Sequence, residues 1–114
     1  MKKNFKYKIG IIGIGYVGLP LAINFSKYFN VLGYDKDLNR IKDLNKGIDK
    51  NLDFKSTRLK SKQLFFTNDY SDLKKCNVYI ITLPTPVDKK GKPDLSLIIN
   101  ATKKLAGILK KKIW

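Results

Sequence analysis

Residues 8–25 read KIGIIGIGYVGLPLAINF, and no other stretch limits the possible folds as tightly. The apolar run from Lys8 to Ile14 predicts a short buried strand. A helical pattern opens near Tyr16 and runs to about Tyr28. Between them, Gly13, Gly15 and Gly18 fall at G-x-G-x-x-G spacing. Gly13 permits a tight turn off the strand. Gly15 presents no side chain, so a pyrophosphate can approach the backbone. Gly18 lets the helix pack close to the sheet. The start of a helix offers unpaired N–H groups and the positive end of a dipole to phosphates. Pro20 suits the first helical turn, where no N–H partner is lost.

Glycine-rich turns alone are common, so context decides. A second strand, Val31–Tyr34, ends in Asp35, which lies 22 residues after Gly13. That offset suits a carboxylate accepting from the 2′-OH of a ribose. Strand, turn, helix, strand and acid together point to dinucleotide binding. An unliganded strand–turn–helix is the bland alternative.

A chain of 114 residues can hold one domain with a real core, and not two. With 43% hydrophobic and 29% charged residues it suits a soluble globular protein. No apolar run reaches membrane-span length, and no segment has the layout of a signal peptide. The single cysteine, Cys76, excludes an internal disulfide and fits a reducing cytoplasm. The lack of histidine removes the commonest general base, and with one cysteine no ordinary zinc site can form. The formal charge of +15 taken alone predicts a nucleic-acid or anionic-membrane partner. The lysines, however, are spread over every predicted element, and arginine occurs only at Arg40 and Arg58. The expectation is therefore a lysine-rich surface that attracts an anionic cofactor, with no nucleic-acid and no membrane partner.

Along the rest of the chain, Asp37 is the expected N-cap of a helix with Ile41 and Leu44 facing inward and Gly47 at its C-terminal end. Residues 47–55 read as a loop and Ser56–Lys62 as a short exposed helix capped by Ser56. Leu64–Thr67 is a third strand. Asp69–Cys76 is a turn plus a helical segment anchored by Leu73. Asn77–Leu83 is a fourth strand whose β-branched and aromatic content predicts burial on both faces. Pro84-Thr85-Pro86 stops it, and Val87–Pro93 is a polar loop. A last helix, capped by Asp94 or Ser96, runs from Leu95 to about Lys111. Alternating strands and helices predict an α/β fold: a doubly wound, Rossmann-like parallel sheet of about four strands in order 3-2-1-4. Ligands bind such sheets outside the carboxyl ends of the strands, at the switch point between strands one and four. The glycine turn and Pro84-Thr85-Pro86 are both expected at that edge.

GIGYVGLPLA, VLGYDKDLNRI with NKGID, and YIITLPTPVDKKGKPDLS resemble the N-terminal NAD-binding domain of the UDP-glucose/GDP-mannose dehydrogenase family. The resemblance covers essentially the whole chain. Around PTPVDKKGKPDLS it is closest to the branch acting on UDP-N-acetylhexosamines in surface-polysaccharide synthesis. It implies oxidation of the C6 alcohol of a UDP-sugar to a carboxylate, with NAD as cofactor, in a homo-oligomeric full-length protein. It further implies that Gly13, Gly15, Tyr16, Val17 and Gly18 surround the pyrophosphate. Asp35 would hold the adenosine ribose, Arg40 would approach the same ribose, and Thr85 would line the nicotinamide side. The residues themselves leave bland alternatives open. Tyr16 could be a core aromatic and Thr85 a turn former. Arg40 could be a solvated helix residue pairing with Asp37 or Asp43. Asp88 and Asp94 read as loop and cap residues, and Cys76 as a small core residue.

Asp35 would repel a 2′-phosphate, which favours NAD over NADP, although Arg40 and Lys36 could offset that repulsion. In the family the nucleophilic cysteine and the groups assisting it lie in a later substrate domain. No catalytic residue and no metal ligand is therefore placed in this chain. Residues 1–114 are expected to be an NAD-binding fragment without its substrate domain, inactive alone. Three alternatives are a free-standing dinucleotide-binding module without catalysis, the cofactor domain of a hydroxyacid dehydrogenase, and a basic nucleic-acid-binding protein.

Overall fold

The computed structural model describes residues 6–49 and 61–109. The elements run β1 (Lys8–Ile12), α1 (Gly18–Phe25), β2 (Asn30–Tyr34), α2 (Leu38–Asn45), β3 (Leu64–Thr67), a 3₁₀ helix (Tyr70–Lys75), β4 (Val78–Ile81) and α3 (Ser96–Ala106). The four strands form one parallel sheet in the order β3-β2-β1-β4. This is the doubly wound order expected from the sequence. Its reversal between β1 and β4 places a crevice at the carboxyl ends of those strands.

Side chains of a strand alternate between the two faces of its sheet, so each face has its own core. Ile9, Ile11, Val31, Leu64 and Phe66 join Leu19, Ala22 and Ile23 of α1 and Ile41 and Leu44 of α2 on one side. Ile12 joins Leu73, Cys76 and Leu105 on the other, flanked by Tyr70, Tyr79 and Ile81. Ile11, Leu44 and Leu73 are completely buried. Burial of each such aliphatic side chain is worth about 1.5–3 kcal/mol. Leu73 anchors the 3₁₀ helix, and Cys76 is a buried core residue, both as the sequence suggested.

Several boundaries shift for identifiable reasons. Strand β1 ends at Ile12 rather than Ile14, because Gly13 turns away with φ +99°. Its N–H still reaches the Tyr34 carbonyl at 2.8 Å. Helix α1 is regular only to Phe25. Beyond it, Tyr28 N–H bonds the Phe25 carbonyl in a tighter turn. Strand β4 corrects the expectation of burial on both faces. All four of its residues are only half-buried, because β4 pairs with β1 alone and forms an edge among the described residues. Its apolar run reflects the local environment of a parallel sheet and does not reveal how many neighbours the strand has.

Helix α3 begins at Ser96, whose N–H donates to Asp94 Oδ1 at 2.9 Å, and ends at Ala106 before Gly107. It buries only Leu105 fully. The Tyr70 hydroxyl donates to the Ala101 carbonyl, and Lys104 lies 4.3 Å over the Tyr70 ring. Asp37 caps α2 by accepting from the N–H groups of Asn39 and Arg40, and Gly47 follows with φ +81°. The helix expected over Ser56–Lys62 lies outside the described residues, apart from Ser61 and Lys62. Among the described residues no helix is long and apolar enough to cross a membrane.

Candidate functional site

The carboxyl ends of β1, β2 and β4 meet at the glycine turn. Three sets of contacts shape it. The first is steric. A methyl group at Gly18 would collide with the Gly13 carbonyl oxygen and lie 2.6 Å from Thr82 Oγ1. Helix α1 therefore rests directly on the turn and on the end of β4. At Gly13 a methyl would lie 2.9 Å from the Thr82 carbonyl oxygen, and the positive φ excludes most side chains as well. Gly15 is different: a methyl there would meet nothing within 4 Å. Its missing side chain thus leaves space that the protein does not fill.

The second set joins the turn to β4. The Thr82 hydroxyl lies 2.6 Å from the Gly13 carbonyl oxygen and 3.2 Å from that of Ile12, and the Thr82 N–H bonds Ile12 at 2.8 Å. One hydroxyl proton serves the two carbonyls. Thr82 thus ties the turn to the strand that precedes Pro84-Thr85-Pro86. The sequence reading passed over it, since a threonine near a strand end carries no pattern of its own.

The third set contains the acid. The Ile14 N–H donates to Asp35 Oδ2 at 2.9 Å, and the Asp37 N–H donates to Asp35 Oδ1 at 3.0 Å. The two bonds fix the carboxylate beside the glycine turn, leaving one lone-pair position on each oxygen to accept from a ligand. Arg40 reaches the same place from α2: its Nε donates to the Ile14 carbonyl at 2.9 Å, and its Nη1 pairs with Asp49 Oδ1 at 2.7 Å. The Arg40 side chain is 11% exposed and that of Asp49 is fully buried. Arg40 is therefore neither solvated nor paired through Asp37 or Asp43 in the manner spacing along α2 suggests. Its carboxylate partner comes from the turn after α2. Asp49 also escaped the sequence reading, because a single acid nine residues from an arginine has no helical register with it.

The remaining predicted residues lie on the open side. Tyr16 is 76% exposed and Val17 62% exposed, which removes the reading of Tyr16 as a core aromatic. Among the described residues, the N–H groups of Gly15, Tyr16 and Val17 donate to nothing, as expected at the start of a helix. Thr85 is exposed, just beyond β4. The loop after it is folded on itself. Asp94 N–H bonds the Pro86 carbonyl, and Asp88 Oδ1 accepts from the N–H groups of Lys90 and Lys92. Asp88 and Asp94 thus serve as loop residues, and the expected cap at Asp94 or Ser96 is corrected: the N-cap position of α3 is Leu95, without a side-chain cap, and Asp94 accepts from Ser96 one residue before it. The Ser96 N–H holds the Asp94 carboxyl below the ordinary aspartate range. No cluster of three metal-binding side chains occurs among the described residues.

Free amides, an unfilled space at Gly15 and an anchored carboxylate are together what an adenine dinucleotide requires, so the residues present fit such a cofactor. A family model for the NAD-binding domain of the UDP-glucose/GDP-mannose dehydrogenase family matches residues 7–113. The UDP-N-acetyl-D-glucosamine 6-dehydrogenase of Pseudomonas aeruginosa is 44% identical over 105 residues, covering 91% of this chain and 25% of that protein. Protein CapL of Staphylococcus aureus is 37% identical over 101 residues, covering 89% of this chain and 24% of that protein. Among solved structures, a UDP-D-ManNAc dehydrogenase from Pyrococcus horikoshii superposes with a TM-score of 0.83 at 35% identity, covering 90% of this chain and 26% of that one. The chain spans about a quarter of the length of the curated relatives it matches.

Proposed function

Because this chain belongs to the UDP-glucose/GDP-mannose dehydrogenase family, as an NAD-binding domain, we propose that it is the cofactor part of a nucleotide-sugar 6-dehydrogenase. The proposed substrate is a UDP-N-acetylhexosamine, oxidised at C6 from alcohol to carboxylate for polysaccharide synthesis. The names of the relatives from Pseudomonas aeruginosa and Pyrococcus horikoshii support that branch. NAD, when bound, supplies the hydride acceptor. A single buried cysteine supports a reducing, cytoplasmic setting.

The chain's own residues bind and orient the cofactor. The N–H groups of Gly15, Tyr16, Val17 and Gly18 face the pyrophosphate, with Gly13 shaping the turn. Asp35 accepts from the adenosine ribose hydroxyls. Arg40 props the Ile14 carbonyl beside that ribose. Thr85 borders the nicotinamide end, on the loop that Thr82 ties to the glycine turn. The observation that carries this reading is the 2.9 Å bond from Ile14 N–H to Asp35. It brings the ribose acid to the phosphate turn across 21 residues of sequence.

Titration of the ¹⁵N-labelled chain with NAD tests it, because amide shifts register weak binding. Shifts centred on Gly13 and Gly15–Gly18, with Asp35 and Thr85, are the expected result. Shifts centred elsewhere, or none, would overturn it. Shifts on adding an oligonucleotide that survive raised salt would favour the nucleic-acid reading instead.

A further inference from the structure

One cation beside the proposed ribose site is already committed. Arg40 sends Nε to the Ile14 carbonyl and Nη1 to a carboxylate with no solvent exposure. Its third nitrogen, Nη2, is buried and has no hydrogen-bond partner among the described residues. Ile14 is the link: its N–H goes to Asp35, and its carbonyl is held by Arg40. The guanidinium and the acid that selects the ribose thus both bond Ile14, yet the guanidinium turns inward to Asp49. A phosphate on the adenosine 2′-oxygen would need a cation with free donors, and a bidentate arginine supplies them best.

We infer that Asp49 is a specificity-determining residue: by drawing Arg40 inward it withholds the guanidinium from a 2′-phosphate, so the site takes NAD and not NADP. Two layers then act against NADP. Asp35 repels the extra phosphate, and Asp49 neutralises the charge that would attract it. The Asp49 side chain has no solvent exposure, so its action runs through Arg40. Lys36, exposed and adjacent to Asp35, is the competing source of positive charge.

The inference rests on Asp35 receiving the adenosine ribose, and the experiment separates the two. NAD and NADP are titrated into the ¹⁵N-labelled chain and its variants, with circular dichroism confirming the fold of each. Asp35→Ser removes the first barrier. Adding Asp49→Asn keeps an acceptor for Nη1 but removes the neutralising charge. This pair is expected to bind NADP about tenfold or more tightly than Asp35→Ser alone, as an unscreened charge within a few ångströms predicts. NAD affinity should differ much less between them. Adding Arg40→Met should abolish the gain, and persistence of the gain would assign it to Lys36 and overturn the inference.

Equal NADP affinity with and without Asp49→Asn overturns it too. If Asp49→Asn does not fold, Arg40→Met with Asp49→Leu replaces both charges by apolar groups, a change buried pairs commonly tolerate. In the Asp35→Ser background that pair should leave the ratio of NADP to NAD affinity unchanged, because loss of the prop on the Ile14 carbonyl acts on both cofactors alike. A fall in that ratio would show that Arg40 was available to the phosphate all along and would overturn the inference. If unmodified chain shows no NAD-induced shifts at Gly15–Gly18 and Asp35, the ribose reading fails and takes this inference with it.

Discussion

Gly15 and Gly18 lie three residues apart in one motif, yet replacing each by alanine should have opposite effects on stability. At Gly15 the added methyl meets nothing within 4 Å, and the backbone is not in the left-handed region. Alanine also restricts the unfolded chain, so Gly15→Ala should stabilise the protein by about 0.4–1 kcal/mol. For a domain of this size that raises Tm by about 2–8 °C. At Gly18 the methyl runs into the Gly13 carbonyl oxygen and approaches Thr82 Oγ1 to 2.6 Å. A backbone carbonyl cannot rotate aside, so α1 must lift off the turn. Overpacking of this kind costs about 1–3 kcal/mol. The helical advantage of alanine over glycine returns about 1 kcal/mol. Gly18→Ala should therefore destabilise by up to about 2 kcal/mol and lower Tm by as much as about 16 °C.

Binding separates the functional reading of Gly15 from the bland one. If the pyrophosphate uses the space beside Gly15, filling it with a methyl weakens NAD by about five- to 150-fold, the binding equivalent of the same overpacking cost. The assays are a circular-dichroism melt and an NAD titration followed by amide shifts. A Gly15→Ala chain that is more stable and still binds NAD like the parent would refute the claim that the empty space serves the phosphates. A Gly15→Ala chain with a lowered Tm would refute the geometry itself.

Thr82→Val keeps the shape of the side chain but leaves the Gly13 carbonyl without its 2.6 Å partner; a loss of about 1–2 kcal/mol is expected in a denaturant melt. Leu73→Ala should cost about 2–5 kcal/mol, because the side chain is fully buried against Ile12 and Cys76. Stability should fall as pH rises above 10. Burial holds the phenols of Tyr34, Tyr70 and Tyr79 above their ordinary value of 10.0, so the native state keeps protons that the unfolded chain gives up. Tyr79→Phe should reduce that alkaline dependence in melts taken across the range. At the acid end, Asp69, held low by hydrogen bonds from the Ser71 hydroxyl and N–H, favours folding above the ordinary aspartate range. That contribution is lost as pH falls through its folded value, and Asp69→Asn should flatten the acid limb.

The sheet order and the placement of Asp35 were legible because they depend on local rules. Period-two and period-3.6 patterns set the elements, and right-handed crossovers leave few ways to assemble them. The Asp37 cap, the inward Ile41 and Leu44 and the turn at Gly47 are likewise short-range facts, decided within one helix. Asp35 lies at the end of the strand next to β1, so its arrival beside Ile14 follows from pairing β2 with β1.

What needed the tertiary structure was everything decided by a distant partner. The bond from Thr82 to Gly13 spans 69 residues. Arg40 meets a carboxylate from beyond its own helix, and that choice turns its charge inward. The exposure of Tyr16 and the edge position of β4 depend on what packs nearby, which neither residue type nor spacing records. Sequence determines which groups are present and how often they repeat along the chain. Whether a charge is free to meet a ligand depends on which other group the fold has brought within hydrogen-bond reach of it.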